Sequence, residues 1–183
     1  QHWAPNCATF SAIRNIPIPG VDDAPIPWRS HEHPDGLPAM ITDLSAKNKK
    51  RLELDTEMAN MAADSCDTAH SGARRMSLEH PTRSIAHSLP KWKALKTRLG
   101  VSELKCHSCM YKPCDSRKAQ SLINNFKSVH KELSRQCSNT GGKCDRTGLP
   151  HKTWRPKISM QKVVTFGSKN SGAYPKEWCE LYA

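Results

Sequence analysis

The chain has 183 residues, with 28 Lys or Arg against 17 Asp or Glu and a net charge of +11. Hydrophobic residues make up 37 % and aromatics 6 %, a lean share that still suffices for a core, because disorder needs a lower one together with high charge. No run approaches the ~18 to 20 apolar residues of a membrane span, and Gln1-His2-Trp3 does not open a signal peptide. The expectation is therefore an intracellular protein without a membrane partner, nuclear if its source is a eukaryote.

Residues 1–11 read as the tail of a strand running into a polar turn. Residues 15–43 carry Pro17, Pro19, Pro25, Pro27, Pro34 and Pro38 without helical or strand periodicity, which predicts a long loop. From Ser45 the spacing of Leu54, Met58, Met61, Ala62 and Ala69 predicts a helix with one apolar stripe, stopped by Gly72. The methionines of that stripe, and Cys66, are expected in the core. Arg75 to Glu79 reads as a short strand that Pro81 ends, and Pro90 starts a second helix bearing Trp92, Leu95 and Leu99, closed by Gly100.

Val101 to Cys106 and Ala119 to Asn124 follow as strands, and Phe126, Val129 and Leu133 mark a shorter helix. The segment 138–157 reads as a loop, Gln161 to Phe166 as a last strand and Glu177 to Tyr182 as a helical turn. This alternation predicts an α/β domain with a mainly parallel sheet, whose active site lies at the carboxyl ends of its strands.

Charge is divided along the chain. Residues 1–79 hold 8 Lys or Arg and 11 Asp or Glu, whereas residues 80–183 hold 20 against 6. A basic half of that size attracts a polyanion with counterion release, and nucleic acid is the favoured partner. Lys143, Arg146, Lys152, Arg155 and Lys157, with Trp154 among them, predict phosphate contacts beside a stacking platform.

Five of the eight cysteines, Cys106, Cys109, Cys114, Cys137 and Cys144, fall in one stretch. In a reducing compartment such clustering points to metal or chemistry rather than crosslinks. Cys109, Cys137, Cys144 and His151 would make a closed Cys3His zinc site, tying the basic loop to the sheet. Zinc there would stabilise a loop poor in apolar residues. Cys106 and Cys109 are the one close pair, and a redox pair is the other reading of them.

Two strand ends carry further chemistry. Ala4-Pro5-Asn6-Cys7-Ala8-Thr9-Phe10-Ser11 places a cysteine directly after a strand, and Glu79-His80-Pro81 places a carboxylic acid at another. Tyr111 to Lys118 then forms a basic turn leading into a strand. In that order the three pieces resemble the catalytic half of the cytosine-5 DNA methyltransferases, which have a Pro-Pro-Cys loop with a nearby Ser, a Glu-Asn-Val strand end and a Pro-Gln-x-Arg-x-Arg turn.

The resemblance implies a partial Rossmann-like methyltransferase domain over residues 1–125, including the Pro-rich loop 15–43. Residues 126–183 would form a basic Cys/His-containing extension packed on it. It also implies roles: Cys7 as the nucleophile adding to carbon 6 of a flipped cytosine, Glu79 as the acid at ring nitrogen 3, and Arg117 as the anchor of the base, with Ser11 and Lys118 along the nucleic acid. DNA is implied ahead of RNA.

The chain departs from the family where Asn6 replaces the second Pro, Ala8 the Gln, and His80-Pro81 the Asn-Val pair. The S-adenosylmethionine site of that family precedes the cysteine loop, so its turn is not among these residues. The implied protein is a fragment or degenerate relative, inactive alone, that needs an amino-terminal half or partner chain to bring the methyl donor. The other reading is a non-catalytic, zinc-stabilised nucleic-acid-binding module.

Overall fold

The computed structural model describes residues 1–11, 27–128, 130–152, 157–158, 164–165 and 174–182. The chain divides into two compact units. The first comprises Gln1–Glu103 and Ser121–Phe126, the second Leu104–Gln120 and Lys127–Ala183. The segment 104–120 thus groups with the carboxyl-terminal residues and not with residues 1–103.

The elements in chain order are β1 (His2–Trp3), α1 (Pro38–Asp43), α2 (Ala46–Ser71), β2 (Ser77–Pro81), α3 (Pro90–Lys96), β3 (Ser102–His107), β4 (Ala119–Asn124), α4 (His130–Leu133), β5 (Lys157–Ile158), β6 (Val164–Thr165) and α5 (Lys176–Tyr182). Strands β1 to β4 form one sheet in the order β1-β2-β4-β3, and β5 and β6 pair antiparallel. The protein is a mixed α/β structure. The strand expected over 161–166 is described only at β6, and Val129, Trp154 and Arg155 lie outside the described residues.

The mainly parallel sheet does not hold. β1 and β2 are parallel, with His2 level with Ser77 and Trp3 with Leu78, but they are the one parallel pair of the four-stranded sheet. Along β3 and β4, the Ser121 hydroxyl donates to Glu103 at one end and the Ser108 N–H to the Lys118 carbonyl at the other, so one strand climbs as the other descends. A hairpin-like return explains the difference. The 11 residues between β3 and β4 include no crossover helix, and a parallel connection needs about a dozen or more.

Helix α2 begins and ends where its sequence says. Ser45 Oγ accepts from the Asn48 N–H, and Gly72 caps the far end with its N–H on the Thr68 carbonyl. The face it buries is another matter. Leu52, Asp55, Ala59, Ala62, Ala63, Cys66 and Ala69 are buried, whereas Leu54, Met58 and Met61 are 53 %, 39 % and 44 % exposed. The expected methionine stripe is therefore corrected to an alanine face. Small side chains let α2 approach its neighbours closely, and the volume is filled from the other side by Trp92, Met76, Leu78, Ile85 and Leu89.

Trp92 is fully buried and its indole N–H donates to the Ala59 carbonyl at 3.0 Å. Leu99, expected on the same face, is 96 % exposed, because α3 ends at Lys96 and Thr97 caps it. These packings set a contrast. Trp92→Ala should lose about 3–5 kcal/mol in denaturant unfolding. Met58→Ser should stay within about 0.5 kcal/mol of the parent. Equal losses at the two positions would reverse the assignment of the buried face.

In the second unit α5 is held through Glu177. One of its carboxylate oxygens accepts from the Lys112 N–H at 2.7 Å and the other from Arg135 Nη1 at 2.6 Å, which holds its carboxyl below the usual range. Trp178, next along, is buried.

Candidate metal centre and thiol loop

Cys109 sits in a single helical turn (Ser108–Met110) directly after β3, Cys137 follows α4, Cys144 follows the turn Thr140–Gly142, and His151 comes just after Pro150, which bridges back to Lys143. This second-unit fold places the ligand atoms of all four residues within 4.8 Å of one another, with the three cysteines buried and His151 half-buried. All four belong to the set read from the sequence. The cluster could hold a metal ion such as zinc.

The fit can be tested on distances. With Zn–S near 2.3 Å and Zn–N near 2.0–2.1 Å, a tetrahedron puts sulfur and nitrogen about 3.5 Å apart and two sulfurs about 3.8 Å apart. Cys137 Sγ and His151 Nε2 stand 3.5 Å apart. The widest pairs need to close by about an ångström at most, within the reach of cysteine rotamers.

The surroundings select the right forms of the ligands. His151 Nδ1 donates to Asn139 Oδ1 at 2.8 Å, which leaves Nε2 as the lone-pair nitrogen facing the thiols. Asn139 takes a left-handed conformation with φ of 59°, which asparagine tolerates better than most residues. The Asp145 N–H points to Cys137 Sγ at 3.4 Å.

Burial opposes ionisation of Cys144, but the backbone N–H groups of Thr147 and Arg146, the Thr147 hydroxyl and His151 outweigh it and lower its pKa. Burial and the neighbouring thiols Cys144 and Cys137 push Cys109 up instead. A raised thiol is the opposite of what a reactive redox pair with Cys106 requires. Cys106 is itself buried.

The residues expected on nucleic acid have mixed placements. Lys143 and Lys152 are exposed, and Lys152 Nζ lies 4.0 Å from Asp115. Lys118 and Ser11 are half-buried. Arg146 is half-buried, with its guanidinium on the Cys109 and Cys114 carbonyls. Arg117 is exposed along part of its length and donates to the Cys137 carbonyl at 3.1 Å. The second unit holds 15 Lys or Arg against five Asp or Glu, so it carries almost all of the net charge.

In the first unit the parallel register pairs His2 with Ser77 and Trp3 with Leu78; β1 ends at Trp3 and Cys7 follows four residues on. Glu79 lies within β2 and is buried, with β2 running on through His80 to Pro81. Cys7 is half-buried in a loop whose Phe10 N–H returns to the Cys7 carbonyl. Cys7 and Glu79 both belong to the first unit, but Glu79 stands in the middle of β2 and not at the strand end expected of it, and Arg117 belongs to the second unit.

What sequence reasoning missed is the support beneath Cys7. Asn6 Nδ2 donates to one oxygen of Asp55 at 3.0 Å and the Thr9 hydroxyl to the other at 2.7 Å, while Asn6 Oδ1 accepts from the Ala8 N–H. Arg29, 1 % exposed, donates to the Thr9 hydroxyl, the Thr56 hydroxyl and the carbonyls of Pro34 and Leu52, and its guanidinium stacks 3.9 Å from the Phe10 ring centroid. Burial pulls its pKa down to about 10 against the upward pull of Asp55 and Asp35, so it stays charged at neutral pH. Asn6 therefore shapes the loop through its side chain, which accepts from the Ala8 N–H in a turn of its own.

No family model matches the chain, and neither a curated protein nor a solved structure shows significant similarity to it. Among the described residues, no helix is long and apolar enough to cross a membrane.

Proposed function

We propose that this protein binds nucleic acid through a basic unit built around a structural zinc ion. The observation that carries the reading is the coincidence, in one unit, of the Cys3His cluster with 15 of the 28 basic residues and only five acidic ones. Four protein ligands leave no open position on the ion, which marks a structural rather than a catalytic centre. Zinc would hold the segment 138–151, where Cys144 is the one buried residue. It would thereby present Lys143 and Lys152 to phosphates. Such a role implies an intracellular site and, in a eukaryote, the nucleus.

The test is equilibrium binding of the zinc-loaded protein to duplex DNA and to single-stranded RNA over a salt series. Affinity should fall steeply with salt, by about 0.9 log units per tenfold salt for each duplex phosphate neutralised. Undetectable binding of both at 50 mM salt would remove the reading.

The parallel pairing of β1 with β2 supports a second reading, the cytosine-5 methyltransferase-like catalytic half, with Cys7 as nucleophile and Glu79 as acid. S-adenosylmethionine would be brought by an amino-terminal half or a partner chain. The support is that Glu79 is buried in β2, the strand paired in parallel with β1, which the Cys7 loop follows, and that Asn6 and Thr9 brace this loop on Asp55. Cytosine must leave the stack and gain a proton at its ring nitrogen before a thiolate adds, and a buried acid such as Glu79 suits that need. DNA carrying a pyrimidin-2-one base, a more electrophilic ring, should form a denaturation-resistant adduct that Cys7→Ser abolishes. An adduct absent from the parent protein would remove this reading and leave the binding one standing.

A further inference from the structure

Three side chains around the Cys3His cluster do not ligate, yet each ends on the backbone of a ligand. Arg146 Nε donates to the Cys109 carbonyl at 2.7 Å, and its Nη2 donates to the Cys114 carbonyl at 2.6 Å. The Cys137 peptide is gripped on both sides: His107 Nδ1 accepts its N–H at 2.8 Å, and Arg117 Nη2 donates to its carbonyl at 3.1 Å. These residues come from β3, the turn before β4 and the segment after Cys144, so the convergence is a property of the folded unit.

The chemistry of the loaded cluster explains why cations should gather there. A divalent ion with three thiolates and a neutral imidazole carries a net negative charge, and the three cysteines are buried. Buried charge is costly unless offset nearby, and guanidinium groups offset it while their fixed forks hold the peptide groups that carry the thiols. Arg146 acts twice, because it follows the ligand Cys144 by two residues and reaches across to the turn that carries Cys109.

We propose that Arg146 is a positioning residue of the metal centre, a brace that locks the Cys109 turn to the Cys144 turn and offsets the charge of the loaded site, with Arg117 and His107 fixing Cys137. The inference rests on the zinc reading above. It withdraws Arg146 from the phosphate contacts expected of it in the sequence, because Nε and Nη2 are committed to carbonyl oxygens and the side chain is half-buried. It also gives the exposed arginine of the basic turn, Arg117, a role at the metal centre.

The experiment is zinc affinity by competition with a chromogenic chelator on the full chain, together with the ligand-field spectrum of the cobalt(II) form. Arg146→Ala should still bind one ion, about 10- to 100-fold more weakly, as loss of an outer-shell partner does. Arg146→Gln retains one amide donor and should lie between the variant and the parent, which keeps the test decisive if Arg146→Ala fails to fold. Lys131→Ala, which removes an exposed charge on α4, should leave zinc affinity unchanged.

Zinc affinity of Arg146→Ala and Arg146→Gln within twofold of the parent would overturn the brace. Were the same variants also to lower the salt slope of DNA binding by about one, Arg146 would be a phosphate contact instead. A parent protein that takes up no zinc or cobalt would overturn the metal reading itself, an outcome distinct from an equal affinity of parent and variants.

Discussion

Removal of the metal is expected to abolish the order of residues 137–152 and, with it, nucleic-acid binding. Apparent zinc-binding free energies of about 10–16 kcal/mol are typical of structural sites in small peptides, and for such modules binding energy is folding energy. The segment has little else to hold it. Ser138 and Asp145 hydrogen-bond each other, the Cys144 N–H reaches the Leu149 carbonyl, and Leu149 is 65 % exposed.

A chelator, or Cys144→Ser, should therefore expose the amides of this segment to rapid hydrogen exchange and take bound zinc from one per chain to none. Acidification acts in the same direction. Each thiol and the imidazole must lose a proton to ligate, so the loaded state binds fewer protons and falling pH disfavours it. Exchange and zinc content unmoved by the chelator would exclude a metal as the organiser of this unit.

The second large effect is expected at Asp55. Its carboxylate receives Asn6 and Thr9, and Thr9 passes the contact on to Arg29. Asp55→Ala removes the stronger of the two carboxylate interactions that offset the buried guanidinium, leaves Asn6 and Thr9 without their acceptor, and should cost about 3–5 kcal/mol, measured by denaturant unfolding. The Asp55→Ala/Arg29→Met double variant should lose less than the sum of the two single ones, because both act on one network. Release of the Cys7 loop should accompany the loss, seen as faster exchange at the Ala8 and Phe10 amides. Additive losses with unchanged exchange would mean that the loop is held by its own turn alone.

Local signals in the chain were legible where a single residue decides the outcome. Ser45 and Gly72 bound α2 because a capping hydroxyl and a glycine act within one turn of themselves. The strand Ala119–Asn124 was read to the residue, and Cys109, Cys137, Cys144 and His151 were read as one set because thiols and imidazole are scarce and soft-ligand chemistry selects them.

The methionine stripe failed for the opposite reason. Leu54, Met58 and Met61 share the helical spacing of Ala62 and Ala69, and larger side chains count for more in any apolar pattern. Which face is buried depends instead on what approaches, and Trp92 and Met76 approach the alanines. The parallel expectation failed likewise, since alternation of elements says nothing of how short the return from β3 to β4 is.

By itself, then, the order of residues determined the ends of α2, the strand Ala119–Asn124, the uneven charge and the four soft ligands, because each follows from chemistry within a few positions. Folding alone decided that Asp55 and Arg29 lie buried beneath the Cys7 loop and that Arg146 and Arg117 end on ligand carbonyls. A buried charge is recognisable only through its partners. Apart from the Pro34 carbonyl, those partners stand 20 to 49 positions away in the chain, at distances no local pattern spans.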